Sequence, residues 1–140
     1  MTADLAGFLR ARLDDTAAKA QAAIRDGAAR WHTELDRVHD GYAVADEQGR
    51  PVVHDEGSPS IGQAAHIAEH DPARVLAEVD AKRRILKAHP YRRAPGWDRP
   101  GHIGYECRQC ATEYECATLR LLALPYAAHP DYRPEWAPEA

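Results

Sequence analysis

The stretch Tyr105–Tyr126, YECRQCATEYECATLRLLALPY, contains all three cysteines of the chain and then continues as an apolar run. The cysteines are Cys107, Cys110 and Cys116, in the pattern C-x2-C-x5-C. C-x2-C is the spacing at which a tight turn directs two sulfurs at one zinc ion, and thiolates bind zinc tightly. The third cysteine starts a predicted helix, whose positive end favours the thiolate. The stretch therefore predicts a zinc knuckle joined to a helix.

Tetrahedral zinc needs a fourth ligand, and two histidines are candidates. His89 ends a predicted basic helix, and His102 lies five positions before Cys107. Three thiolates and one imidazole form a closed set, which favours a structural zinc over a catalytic one. The alternatives are a redox-active C-x2-C, which lacks its usual strand-to-helix setting, and metal-free thiols, which are a liability when exposed.

Length and composition predict one small intracellular domain. A chain of 140 residues with one Phe, and no Met after Met1, forms a light core, which helices tolerate well and a metal cross-link stabilises. The N-terminus is acidic and has no apolar segment of signal or membrane length. We therefore expect a cytoplasmic protein with no membrane contact, and the odd cysteine count argues against a disulfide framework.

Hydrophobic periodicity predicts an α+β fold, mostly helical, with one three-stranded antiparallel meander. The whole chain, 1–140, is expected to be a single domain. The predicted segments are an N-terminal helix at 2–28, the β-meander at 31–55, a helix pair at 60–89, the zinc knuckle plus helix at 102–126, and a tail at 127–140.

Capping residues mark the predicted helix starts. Thr2 is a plausible N-cap for the first helix, and Ser58 or Ser60 can cap the second. Asp71 caps the third, with Pro72 at the first helical position, where its missing N–H has no effect.

Turn residues divide the predicted meander, and aromatic residues mark the tail. Asp40-Gly41 predicts a tight turn, and Asp46–Gly49 predicts a second one. A loop is predicted for 91–104, which is rich in Pro and Gly. We expect three aromatic residues of the tail to fold back onto the core: Tyr126, Tyr132 and Trp136.

Positive charge is concentrated between Lys82 and Arg99, although the net charge of the chain is −4. Such a strip can contact phosphates, with Tyr91 or Trp97 available to stack on bases. The alternative is a solvated helix face whose charge is partly neutralised by neighbouring acids. The candidate nucleic-acid-binding residues are Lys82, Arg83, Arg84, Lys87, Arg92 and Arg93.

His66, Glu69 and His70 form H-x-x-E-H, a motif that in zinc peptidases combines two imidazoles with a carboxylate base. A zinc hydrolase is therefore a further possible function. The motif is short and the predicted helix breaks directly after it, at Asp71-Pro72, which favours an ordinary amphipathic turn. The sequence contains no P-loop, G-x-G-x-x-G or G-x-S-x-G.

Four segments that together span nearly the whole chain carry a family resemblance. They are similar, in this order, to a family of small uncharacterised actinobacterial and actinophage proteins, a domain of unknown function. The predicted strands followed by the helix A-x-I-A…P-x-x-V-x-x-E also resemble Ead-type early proteins of temperate phages. The four segments are Asp4–Asp15 (DLAGFLRARLDD), Ala65–Leu86 (AHIAEHDPARVLAEVDAKRRIL), Cys116–Tyr126 (CATLRLLALPY) and His129–Pro138 (HPDYRPEWAP).

The resemblance implies association with phages or mobile elements and brings no established activity. It favours His89 over His102 as fourth ligand, because similar proteins carry a histidine soon after the K-R-R-I segment. The family usually has Arg at the position of Glu69 and Asp at the position of Ala128, so roles that depend on either side chain are disfavoured. We therefore expect a non-enzymatic, zinc-stabilised accessory or regulatory protein that acts through a protein partner, with nucleic-acid binding as the alternative.

Overall fold

The computed structural model of the protein describes residues 4–54, 58–93 and 104–139. Within these ranges it has four α-helices and two three-stranded antiparallel sheets, which confirms the predicted α+β fold class. None of the helices in these ranges is both long and apolar enough to cross a bilayer. The elements are α1 (Leu5–Ala23), β1 (Trp31–Asp36), β2 (Gly41–Asp46), β3 (Pro51–Val53), α2 (Ile61–Glu69), α3 (Pro72–Ala88), β4 (Tyr91–Arg93), β5 (Tyr105–Cys107), β6 (Thr112–Glu113) and α4 (Ala117–Ala123), followed by two short 3-10 helices at Leu124–Tyr126 and Pro134–Trp136.

The chain divides into two compact units. Unit 1 comprises Met1–Asp14 and Asp80–Ala140, and unit 2 comprises Asp15–Val79, so that the boundaries fall inside α1 and α3. Compact packing and cooperative unfolding are separate properties of a chain. The expectation of a single domain over the whole chain therefore stays a prediction.

Unit 2 contains the predicted meander. β2 pairs antiparallel with β1 on one side and with β3 on the other, and α2 packs against β1 and β2. Val44 and Ala45 of β2 are fully buried. The predicted second turn is present: the N–H of Gly49 donates to the carbonyl oxygen of Asp46 at 2.9 Å. Gly49 has φ +76°, which a residue without Cβ adopts at no steric cost.

The first hairpin differs from its prediction. Asp36 at the end of β1 is paired with Gly41, so Gly41 belongs to β2 and residues 37–40 form a four-residue turn. The Asp36 carboxylate accepts the backbone N–H of Val38 at 3.0 Å, which stabilises this longer turn. Asp40 takes the left-handed conformation that the turn needs, with φ +50°.

The predicted caps of α2 and α3 are confirmed. The Ser60 hydroxyl accepts the N–H of Gln63 at 3.3 Å, and the Gln63 side chain accepts the N–H of Ser60 at 2.9 Å, forming a capping box. Asp71 accepts the N–H of Arg74 at 2.8 Å. Its other carboxylate oxygen accepts the N–H of Trp31 at 3.1 Å, so the same side chain connects α3 to β1.

Helix α1 is shorter than predicted. It spans Leu5–Ala23 instead of 2–28. Its N-cap is Asp4, whose carboxylate accepts the N–H of Gly7 at 2.7 Å, whereas Thr2 lies outside the described residues. After the helix, Asp26 and Gly27 have φ values of +48° and +80°. This left-handed pair forms a tight turn, in which the N–H of Ala28 donates to the carbonyl oxygen of Arg25 at 2.9 Å.

The core of unit 1 combines the first turns of α1 with α4 and the tail. Trp136 is buried in it, and Tyr126 and Tyr132 pack against it, so the predicted return of the tail aromatics is confirmed. The buried members are Leu5, Ala6, Phe8, Leu9, Leu86, Cys107, Cys116, Leu119, Ala123 and Trp136.

Candidate metal centre

A short strand brings His89 to the cysteines. β4 begins two residues after His89 and pairs with β5, so that Tyr91 lies opposite Cys107. The N–H of Arg108 also donates to the carbonyl oxygen of Pro90 at 2.8 Å. The predicted loop is therefore wrong for 91–93, and the pairing of these residues fixes the backbone beside the knuckle.

The three cysteines are positioned as the sequence predicts. Cys107 ends β5, and Cys110 lies in the turn before β6, where the N–H of Ala111 donates to the carbonyl oxygen of Cys107 at 2.9 Å. Cys116 occupies the N-cap position of α4. All three are free thiols.

The imidazole Nδ1 of His89 is nearly equidistant from the three sulfurs. The distances are 3.5 Å to Cys107, 3.4 Å to Cys110 and 3.6 Å to Cys116. The four candidate ligand atoms all lie within 4.8 Å of one another. A regular tetrahedron with Zn–S of about 2.3 Å and Zn–N of about 2.0 Å gives an N–S separation of about 3.5 Å. The group can therefore hold a metal ion.

Burial separates this group from a surface cluster. Cys107 is fully buried and Cys116 is 2 % exposed, while Cys110 and His89 are half-buried. Four protein donors would complete the usual coordination of a zinc ion and leave no open position for a substrate. His102, the alternative fourth ligand, lies outside the described residues.

The electrostatics of the three sulfurs favour a cation between them. Burial raises the pKa of Cys107, but the N–H groups of Cys110 and Gln109 stabilise its thiolate, and its pKa is lowered overall. Burial, together with the sulfurs of Cys107 and Cys116, raises the pKa of Cys110 to about 11. Three neighbouring thiols cannot all ionise easily by themselves, whereas a divalent cation reverses this and stabilises every thiolate.

Glu115 connects the knuckle to α1, a contact that the sequence did not reveal. Its carboxylate accepts the N–H of Leu5, the first residue of α1, at 2.7 Å. Burial raises the pKa of Glu115, while the hydrogen bond from Leu5 opposes the shift. The Arg120 side chain donates to the carbonyl oxygen of Glu115 at 2.9 Å. The residue directly before Cys116 is thus held from two sides.

We expect Glu115→Ala to lower the free energy of unfolding by about 1–2 kcal/mol, because the N–H of Leu5 loses its acceptor. Glu115→Gln keeps an oxygen in place and should lose less than half as much. Urea denaturation of the metal-loaded protein measures both. Equal losses in the two variants would show that the hydrogen bond is not the cause.

The H-x-x-E-H residues lie at the end of α2. The rings of His66 and His70 are 4.3 Å apart between centroids, and Nδ1 of His70 donates to the carbonyl oxygen of His66 at 2.8 Å. The Glu69 carboxylate accepts a 2.6 Å hydrogen bond from Arg74, which holds the pKa of Glu69 below its usual value. A carboxylate held by Arg is a poor general base. These contacts support the interpretation as an ordinary helix end.

Ion pairs with carboxylates hold at least three of the six basic residues predicted to contact nucleic acid. Their charge is partly neutralised on the protein surface, which reduces the attraction for phosphate. Lys82 lies along an apolar groove with Leu9 and Leu86. Trp97 and Arg99 lie outside the described residues. The three pairs are Arg83 with Asp14 at 2.6 Å, Arg84 with Asp80 at 2.8 Å, and Arg92 with Glu106 at 2.6 Å.

Fold and site together define a small α+β protein in which one histidine and three cysteines can hold a metal ion. Residues 2–138 match the Family of unknown function (DUF6221), and the chain belongs to this family. No curated protein and no solved structure matches the chain. The predicted resemblance to a domain of unknown function is thus confirmed, whereas the actinobacterial and phage association stays a prediction.

Proposed function

We propose that this protein is a non-enzymatic, zinc-stabilised accessory or regulatory protein that acts through a macromolecular partner. The supporting observation is the near-equal distance of His89 Nδ1 from three cysteine sulfurs, which fits a tetrahedral zinc ion. Thiolate and imidazole donors favour zinc over the oxygen-seeking ions magnesium and calcium. Because all four positions are taken by side chains, the ion is structural.

A zinc ion in this position connects three separate segments of unit 1. His89 follows α3, Cys107 and Cys110 belong to the β5–β6 hairpin, and Cys116 precedes α4. A small core with few large side chains gains substantially from such a cross-link. A scaffold of this kind works by contact with another macromolecule, and the partner is either a protein or a nucleic acid.

Zinc stoichiometry tests this proposal. Protein purified without chelators should contain about one zinc ion per chain, and Cys107→Ser and His89→Ala should lose it, because each removes one donor. His66→Ala is the matched control, since His66 lies on α2 outside the cluster, and it should keep its zinc. A wild-type protein without zinc would end the proposal. Zinc retained in His89→Ala but lost in His102→Ala would overturn the assignment of the fourth ligand.

A further inference from the structure

Three tyrosines share one face of the second sheet. Strand pairing places Tyr91 opposite Cys107 and Tyr105 opposite Arg93, and since residues two apart on a strand point to the same side, these four share a face. The N–H of Tyr114 donates to the carbonyl oxygen of Tyr105 at 3.1 Å. The Tyr91 ring centroid lies 5.5 Å from that of Tyr105 and 5.4 Å from that of Tyr114. We call Tyr91, Tyr105 and Tyr114 the tyrosine face.

The tyrosine face is open to solvent and is backed by the core of unit 1. Tyr91 is 57 % exposed and Tyr105 is 45 % exposed, while Tyr114 packs against the core of unit 1. Cys107, on the same side of the sheet, is fully buried in the candidate metal centre. Neighbouring aromatic rings that leave about half of their surface in water mark a binding surface rather than part of a core.

The charge near the tyrosine face suits a polyanion. Arg93 lies on this face, and Arg92 pairs with Glu106 at 2.6 Å on the opposite face. Unit 1 contains twelve Lys and Arg against ten Asp and Glu, whereas unit 2 contains six against twelve. The positive charge of this otherwise acidic protein is therefore concentrated in the unit that carries the tyrosine face.

Two carboxylates near Tyr114 are occupied by helix α1. Burial, with the nearby carboxylates of Asp4 and Glu115, raises the pKa of Tyr114 to about 12, although Arg10 opposes the shift. Both carboxylates accept backbone N–H groups at the N-terminus of α1. The positive end of the helix offsets their charge, which lowers the repulsion that a phosphate would meet here.

We propose that the tyrosine face binds single-stranded nucleic acid, with bases stacked on Tyr91 and Tyr105 and phosphate held by Arg93. Every base has a π-face, so exposed rings on adjacent strands bind unpaired bases with little dependence on sequence, whereas a duplex keeps its bases stacked inside. The proposal rests on the proposed structural zinc, because the metal-held hairpin keeps the rings in place before binding. A protein is the competing occupant, and the local positive charge favours the nucleic acid.

Fluorescence anisotropy with labelled oligo-dT and oligo-rU, each about 12 nucleotides long, tests the proposal on the zinc-loaded full chain. We expect binding that weakens about threefold between about 50 and about 200 mM salt, as one phosphate contact to a single strand implies, and much weaker binding of a duplex of the same length. Tyr91→Ala and Tyr105→Ala should each weaken binding about tenfold, because each removes one stacking ring. Tyr91→Phe keeps the ring and should bind as the wild type does.

Leu121→Ala is the matched control, because Leu121 is also 57 % exposed but lies on α4, and its loss should leave binding unchanged. Zinc content is measured on every sample. A zinc-loaded protein that binds neither strand overturns the proposal and points to a protein occupant, and so do Tyr91→Ala and Tyr105→Ala variants that bind normally. In either case the structural zinc stands, whereas a wild type without zinc would overturn the proposed function itself.

Discussion

Removal of zinc by a strong chelator is expected to abolish the amide protection of β5, β6 and α4 in unit 1. Structural zinc in small peptides contributes about 10–16 kcal/mol of apparent binding free energy, which is comparable to the whole stability of a domain, about 5–15 kcal/mol. Three sulfurs and an imidazole without their ion would leave polar groups in a largely buried site. The arrangement should therefore open when the metal leaves.

The effect should spread beyond the ligands because the site is part of the core. Cys107 and Cys116 belong to the same buried cluster as Leu5 of α1 and Trp136 of the tail. Glu115 joins the residue before Cys116 to the first N–H of α1. Displacement of the knuckle therefore disturbs the packing of α1 and of the tail, and not only the hairpin.

Hydrogen exchange followed by mass spectrometry measures this outcome, and re-addition of zinc should restore the protection. β1 and β2 of unit 2 serve as an internal reference, because their hydrogen-bonded partners lie within unit 2. We expect them to stay protected. Equal loss in both units would show that the chain unfolds as the single domain predicted from its length. Unchanged protection of β5 and α4 would contradict the structural role of the metal.

The positions of the three cysteines in the candidate metal centre could be predicted from local sequence patterns, and the position of His89 could not. C-x2-C and a cysteine at a helix start act over a few residues, so spacing alone predicts how Cys107, Cys110 and Cys116 are placed. His89 lies 18 positions before Cys107. Only the family resemblance favoured it, because β4, which brings it into place, is a strand of three exposed residues with no alternating pattern.

The helix caps, which were predicted, are local contacts, whereas the hydrogen bond of Glu115, which was not predicted, joins residues far apart in the sequence. Ser60 and Asp71 cap helices through hydrogen bonds to residues three positions on, which capping patterns report directly. Glu115 binds the N–H of Leu5 across 110 positions. No local pattern reports such a contact. The hairpin at Asp40-Gly41 was predicted in the right place but with the wrong turn, because the Asp36 carboxylate selects a longer one.

Replacement of Trp136 by alanine is expected to destabilise the protein by about 3–5 kcal/mol. The indole is 2 % exposed, and its ring centroid lies 5.0 Å from that of Phe8 and 5.7 Å from that of Tyr132. The guanidinium of Arg133, three residues earlier in the tail, lies over the indole ring, 5.2 Å from its centroid. Alanine removes these contacts and leaves a cavity in the cluster that contains Cys116.

A cavity at this position should also weaken metal retention. Cys116 and Leu119 lie in the same core as Trp136, so loss of the indole loosens the start of α4, where Cys116 must stay in place to bind the ion. We therefore expect zinc to be released at a lower urea concentration in Trp136→Ala than in the wild type. The tail would then be part of the support of the metal centre.

Trp136→Phe provides the matched control, because it keeps a ring against Phe8 and should lose about half as much stability as Trp136→Ala. Urea unfolding followed by far-UV circular dichroism, with released zinc measured by a chromogenic chelator, records both effects in one titration. A Trp136→Ala protein that unfolds at the wild-type midpoint would show that the tail contributes little to the core. A shifted midpoint with unchanged zinc release would separate the tail from the metal centre, since packing would then be lost without any effect on Cys116.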